Sequence, residues 1–184
     1  MRTARRSQIV EAAIDTIATE GLARASFARI ARTAGLSSTG LISYHFAGKQ
    51  ELMDEVVRVV LAEFAAFVEE RMTAETGPAA ELRAFIVANV EFASKHRTRL
   101  LAALDIARAG RAPAFGVDVA GLAELLRVGQ RYGEFRFFDA DVMAMAVRSV
   151  LDGVLNRLAV DPDADHGAYT EELATLFELA TRGA

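Results

Sequence analysis

The chain has no cysteine and only three prolines in its 184 residues, and it lacks any apolar run long enough to span a bilayer. Without cysteine, neither a disulfide nor a thiolate metal site can form. So few prolines beside abundant Ala, Leu, Arg and Glu favour helix over sheet. The most apolar stretch, Val56 to Val68, is interrupted by Arg58 and Glu63 and falls short of the roughly 20 residues a membrane helix needs. The basic N-terminus leads into an amphipathic helix instead of a continuous apolar core, so no signal peptide is read and a cytoplasmic protein is expected. Histidine is sparse as well. His45, His96 and His166 are scattered, with no His-Glu-x-x-His, no carboxylate–histidine cluster at metal spacing and no phosphate-cradling glycine loop. That pattern predicts no metal and no cofactor, and it argues against an enzyme.

What is present points to a helical globule. The hydrophobic content of 52% excludes disorder, and the length allows one or two domains with a sizeable core. The net charge of −4 hides an asymmetry. Residues 1–50 carry seven Lys or Arg against three acids, a net +4, which leaves 14 basic against 22 acidic residues, a net −8, on residues 51–184. A basic head on an acidic body concentrates any phosphate-attracting surface at the N-terminus.

Apolar residues recurring at helical spacing predict a helix from Arg5 to Glu20 ended by Gly21, with Ile9, Ala13 and Ile17 inward and Leu22 folding back on its end. Two short helices follow in SFARIARTAGLSSTGLISYHFAGKQEL. In the first, Phe27, Ile30, Ala31 and Ala34 share a face, Ser26 is a plausible N-cap, and Gly35 supplies the sharp turn. Ser37 or Ser38 can cap the second, whose apolar positions are Leu41, Ile42 and Phe46, leaving Thr39, Ser43, Tyr44 and His45 outward. A helix, a glycine turn and a second helix with a polar, unacidic outer face make up a helix-turn-helix. Hydroxyls, a phenol and an imidazole can bond base edges or phosphate oxygens without adding negative charge.

Further helices are predicted from about Gln50 to Ala74, Glu81 to Ser94, Arg97 to Ala109, Gly121 to Gln130, Asp139 or Asp141 to Val160, and Ala168 to Thr181. With no proline or glycine between Lys49 and Gly77, no flexible linker is read between head and body. The helix ending at Val160 is apolar on two faces, so it is buried on two sides. It and the last helix predict a four-helix interface with a second copy, through Val150, Gly153, Val154, Leu158, Leu173, Leu176 and Phe177; such dimers read two half-sites.

The head resembles the TetR family of bacterial transcriptional regulators: SFARIA, then TAGLS, then LISYHF, then a lysine before the long helix. The body is compatible, with GEFRFFD followed by a helix containing LDG. The resemblance implies an all-α fold in which a helix-turn-helix DNA-binding domain, residues 1–50, is joined by a long helix to a ligand-binding and dimerisation domain, residues 51–184. It implies a homodimer, most often a repressor, on a palindromic duplex operator, released by a small-molecule effector. Carried over by motif, Arg29 looks like a phosphate contact, Ser38, Thr39, Gly40, Ser43, Tyr44 and His45 lie at the recognition helix, and Lys49 anchors the long helix to the DNA backbone. The segment from Gly35 to Phe46 is one residue longer than the commonest family spacing, so which of Ser38, Thr39 or Gly40 faces base edges stays open. There is no arginine between Gly35 and Lys49, so hydroxyls, backbone positioning and DNA shape must carry specificity. Pocket candidates are Phe64, Phe67, Phe85, Asn89, Phe92, His96, Phe115, Leu122, Met143 and Val147. A ligand-binding or protein-interaction dimer without a DNA role is the alternative; salt-dependent duplex binding separates the two.

Overall fold

A computed structural model describes residues 2–110 and 119–183. Among the described residues the chain forms nine helices: α1 (Arg2–Glu20), α2 (Phe27–Thr33), α3 (Gly40–His45), α4 (Lys49–Met72), α5 (Pro78–Lys95), α6 (Arg97–Arg108), α7 (Val119–Arg131), α8 (Ala140–Val160) and α9 (His166–Thr181). The all-helical class expected from composition is what the chain adopts. None of these helices is long and apolar enough to cross a membrane.

Local chemistry sets the helix ends. Gly21 and Gly35 take left-handed backbone, φ +83° and +64°, where a side chain would be strained. α5 begins at Pro78, three residues before the predicted start, because proline at the first helical position gives up only an N–H that would be unpaired there anyway. Of the two aspartates offered for the start of α8, Asp139 is the cap; its Oδ1 accepts from the Asp141 and Val142 amides at 3.0 and 3.1 Å. Asp165 caps α9 in the same way through the Ala168 amide at 3.0 Å, which starts that helix two residues early.

Two compact units result, Met1–Glu63 with His96–Phe115 and Phe64–Lys95 with Gly116–Ala184. The division falls inside α4, whereas the sequence reading divides the chain after residue 50. α6 joins the first unit for a polar reason. Asp105 Oδ2 accepts from the Leu22 amide at 2.7 Å, and Arg99 pairs with Glu11 at 2.9 Å and Glu63 at 3.1 Å. In the first unit α6 lies along α1, and Ile9, Ile14, Ile17, Ile30, Ile42, Phe46, Leu52, Leu100 and Ile106 fill the core. In the second, α5 packs on α8 and α9 and α7 packs on α8, around Phe85, Ile86, Leu126, Val147, Leu151, Leu155 and Phe177.

Candidate nucleic-acid interface

The α2–turn–α3 segment is built from its caps inward. Ser26 Oγ accepts from the Arg29 amide at 3.4 Å to open α2. At its other end the Leu36 amide reaches Ala31 O at 2.8 Å, and Gln8 of α1 donates to Ala34 O at 2.7 Å. Both satisfy carbonyls that a helix C-terminus leaves open. α3 has six residues, and only Ile42 among them is buried. Two sequence expectations fail here. The N-cap is Thr39, without a side-chain cap hydrogen bond, instead of Ser37 or Ser38. Leu41 is 37% exposed, since one and a half turns of helix reach the core only through Ile42 and the following Phe46.

The outer face of α3 therefore presents Ser38, Thr39, Gly40, Leu41, Ser43 and Tyr44 to solvent, Tyr44 at 67% exposure, with His45 half-buried. The Tyr44 and His45 rings meet edge to face, 5.1 Å between centroids. From Gly21 to Gln50 the sequence holds no carboxylate but four basic residues, Arg24, Arg29, Arg32 and Lys49. Arg29 is paired with Glu20. Lys49 Nζ donates to Leu22 O at 3.1 Å, on the same residue whose amide Asp105 holds. Arg32, passed over in the sequence reading, is exposed on α2, and the ion pairs of the described residues do not include it; alternation of inward Ile30 and Ala34 with an outward Arg32 is the signal that would have found it.

Arg6 fixes the far end of α3. Its Nη1 donates to His45 O at 2.7 Å, its guanidinium lies 4.2 Å from the Phe46 ring centroid, and it pairs with Glu55 at 3.4 Å and Glu51 at 3.5 Å. Counted from sequence as part of the basic head, Arg6 is thus neutralised inside it. Glu55 has its pKa held down at about 2 by the hydrogen bond from Arg58 and, against a desolvation cost, by that from Arg6. A carboxylate with a depressed folded pKa adds stability above its ordinary 4.5, and that stability is lost as pH falls through the folded value. In chemical denaturation between pH 5 and about 2, the parent is expected to lose stability more steeply than Glu55→Gln; parallel curves would mean the Arg6–Glu55–Arg58 cluster adds nothing.

In the second unit an open cleft of about 580 Å³ runs along α4, α5 and α7, lined by Phe64, Phe85 and Leu122 from the expected set, with Val68, Glu69, Met72, Glu75 and Glu81 among the others. The remaining pocket candidates are placed elsewhere. Phe92 packs edge-on against Phe64 and Phe67, centroids 5.0 and 5.5 Å apart. Phe67 also stacks under Arg71. Val147 is in the core and Met143 is half-buried. His96 belongs to the first unit, and Phe115 lies outside the described residues. Asn89 is fully buried, donating to Phe85 O at 2.8 Å and accepting from Arg148 Nη1 at 3.1 Å. Arg148 was missed by sequence. It is 5% exposed, burial pulls its pKa down, and Asp152 one turn on, at 2.6 Å, opposes that pull. An Arg and an Asp four apart in the middle of a largely apolar helix were the available signal.

The expected interface set divides in the same way. Val150, Gly153 and Leu176 are exposed and Val154 is half-buried. Leu158, Leu173 and Phe177 are 0, 7 and 4% exposed, so they serve this chain's own core and leave the outer stripe to Val142, Met145 and Leu179.

Residues 9–56, which hold all of α2 and α3, match the family described as bacterial regulatory proteins, tetR family. By those residues the head is similar to the TetR family. An HTH-type transcriptional regulator BetI of Paraburkholderia phymatum is 36% identical over 92 residues, 50% of this chain and 46% of that protein. The chain thus spans about half the length of the curated relatives it matches. The fold is shared more widely. The ketosteroid transcriptional regulator KstR2 of Mycobacterium tuberculosis superposes with a TM-score of 0.75 at 21% identity, over 98% of this chain and 96% of that one. A tetR-family regulatory protein from Rhodococcus RHA1 reaches a TM-score of 0.80 at 17% identity, over 98% of each chain. In a helix-turn-helix the second helix is the one that lies in the groove, and α3 holds that place in the matched segment.

Proposed function

We propose that the protein is a ligand-responsive transcriptional regulator, most simply a repressor, which binds a palindromic operator as a homodimer and is released by a small molecule. The observation that carries this reading is the outer face of α3, exposed and free of carboxylates within a head matched to the TetR family. Ser38, Thr39, Gly40, Ser43, Tyr44 and His45 approach the major groove, and Arg32, Lys49 and Arg29, once freed from Glu20, take phosphates. Residues 1–50 carry the DNA contact and residues 51–184 the effector and the second copy. The exposed stripe of Val142, Met145, Val150, Leu176 and Leu179 supports the pairing, since an apolar stripe of this kind calls for a partner. α4 supports the release step: Phe64, Val68 and Met72 line the cleft, and its first residue is Lys49. A partner of this kind places the protein in the cytoplasm.

Selection of bound fragments from random duplex DNA tests the proposal. An inverted repeat is the expected product, with affinity falling steeply as salt rises. Recovery of no duplex at low ionic strength sinks it, and leaves a helical binding module without a DNA role. Within that assay Lys49→Ala is expected to weaken every duplex alike and to flatten the slope of log affinity against log salt by about one. A changed sequence preference would instead reassign Lys49 from phosphate to base contact.

A further inference from the structure

Resting on the regulator reading above, we infer that Leu41 reads the C5-methyl group of a thymine in the major groove, so that each operator half-site holds a T·A pair under α3. Two side chains tie α3 to the core, Ile42 at 0% exposure and the following Phe46 at 1%. Leu41, expected inward from its apolar character, instead stands 37% exposed beside the exposed Gly40 and Tyr44. A single exposed leucine is ordinary on a protein surface. Its place decides here, because the second helix of the motif is the one whose outer side chains meet base edges.

The chemistry around Leu41 leaves the methyl as the feature α3 can tell apart. Guanine is read by Arg or Lys, adenine by Asn or Gln and cytosine by Asp or Glu, and the run SSTGLISYH at residues 37–45 contains none of these types. The hydroxyls of Ser38, Thr39, Ser43 and Tyr44 both donate and accept, so they serve any base pair without ranking them. His45 is half-buried, its ring edge-on to Tyr44. Leu41 is thus the aliphatic group on the exposed face of α3, and the thymine methyl is the apolar projection in the major groove. Meeting, the two leave water together, whereas a base amino or carbonyl group set against Leu41 would lose its hydration uncompensated. Gly40 points the same way independently. Its φ is not one of the positive ones, and a Cβ there would meet only Ser38 Oγ, at an ordinary 3.5 Å. Nothing in the described chain therefore calls for glycine at this position, while a bare backbone beside Leu41 lets the helix approach a base edge closely.

Fluorescence anisotropy of the whole chain on the selected operator tests the inference. Each thymine is replaced in turn by deoxyuridine, which removes the methyl and keeps every hydrogen-bonding group. At one thymine of each half-site the change is expected to weaken binding about fivefold. With a C·G pair in place of that T·A pair, methylating the cytosine at C5 is expected to strengthen binding by a similar factor. Leu41→Ala is expected to bind the thymine and deoxyuridine duplexes alike, whereas Val119→Ala, at a position of α7 that is also 37% exposed, keeps the difference. Thermal melts establish that both variants are folded, and the deoxyuridine series on the parent chain tests the inference without any variant. A methyl effect absent at every thymine overturns it, as does one that survives Leu41→Ala or a selected half-site with no T·A pair. Failure of the regulator reading looks different, since no duplex is then recovered and both readings fall. A duplex bound in a salt-dependent way but blind to methyls keeps the regulator and overturns only the role of Leu41.

Discussion

Ser43→Glu is expected to weaken operator binding by about a hundredfold or more while leaving the fold in place. The side chain at this position is exposed on α3, so no core contact is lost. The introduced carboxylate would be carried against a polyanion as the helix docks, and unlike a surface charge in free solution it would have to shed water to do so. Like charges brought together at an interface cost several kcal/mol, and about 2.7 kcal/mol corresponds to a hundredfold. Fluorescence anisotropy on the selected duplex reads the effect. Ser94→Glu, an exposed carboxylate at the end of α5, is the control for net charge and is expected to cost far less. Equal effects of the two would mean that the head binds through bulk charge and that α3 is not the contacting helix. Unaltered binding by Ser43→Glu would remove α3 from the interface altogether.

The head has more fixing its shape than a three-helix unit of its size could supply from apolar burial alone. Arg6 holds the end of α3, Gln8 the end of α2, and Asp105 with Lys49 the turn before α2. Each of these is a hydrogen bond to a main-chain group at a helix end or turn, where the backbone would otherwise be unpaired. Asp105 makes α6 part of this scaffold, which is a consequence for any regulated head: a shift of α6 would release the Leu22 amide.

What could be read from sequence follows the range of the interactions that decide it. α2, Gly35 and α3 were legible because they rest on spacing within a dozen residues and on one glycine that must go left-handed. The start of α3 at Thr39 was not, because no side-chain cap hydrogen bond marks it and the backbone path alone sets Thr39 apart from Ser37 and Ser38. α6 was legible as a helix, yet its place in the first unit rests on Asp105 and Arg99, whose partners Leu22 and Glu11 are 83 and 88 residues away. Leu158, Leu173 and Phe177 show the same limit in the body. An apolar stripe reports that something covers it, but a chain's own core and a second copy give identical periodicity. Arg6 was misread for a related reason: a count of charges cannot see that Glu51 and Glu55, next in sequence to the basic head, fold back upon it.

Gly129→Val is expected to destabilise the second unit strongly. Gly129 lies inside α7 and is buried, a place where glycine normally weakens a helix by up to about 1 kcal/mol relative to alanine. Its presence has a steric cause. A Cβ built there overlaps the Phe135 ring at Cδ2 and Cε2, and Phe135 is itself only 6% exposed. The ring cannot easily swing away, because the chain turns at Gly133, φ +75°, and the Glu134 and Phe135 amides both donate to Gly129 O, at 2.9 and 3.2 Å. Overpacking of this kind costs about 1–3 kcal/mol, and the β-branched side chain adds to it. Gly129→Val is therefore expected to lose about 3 kcal/mol, a fall in Tm of roughly 6–12 °C. Gly129→Ala should lose about half as much, its overlap being partly offset by the gain in helix propensity. Pairing Gly129→Ala with Phe135→Leu should cost less than the two single changes added, since residues in contact couple. If Gly129→Ala raised Tm, or if the pair were additive, the close approach of Phe135 to α7 would not be what selects glycine there.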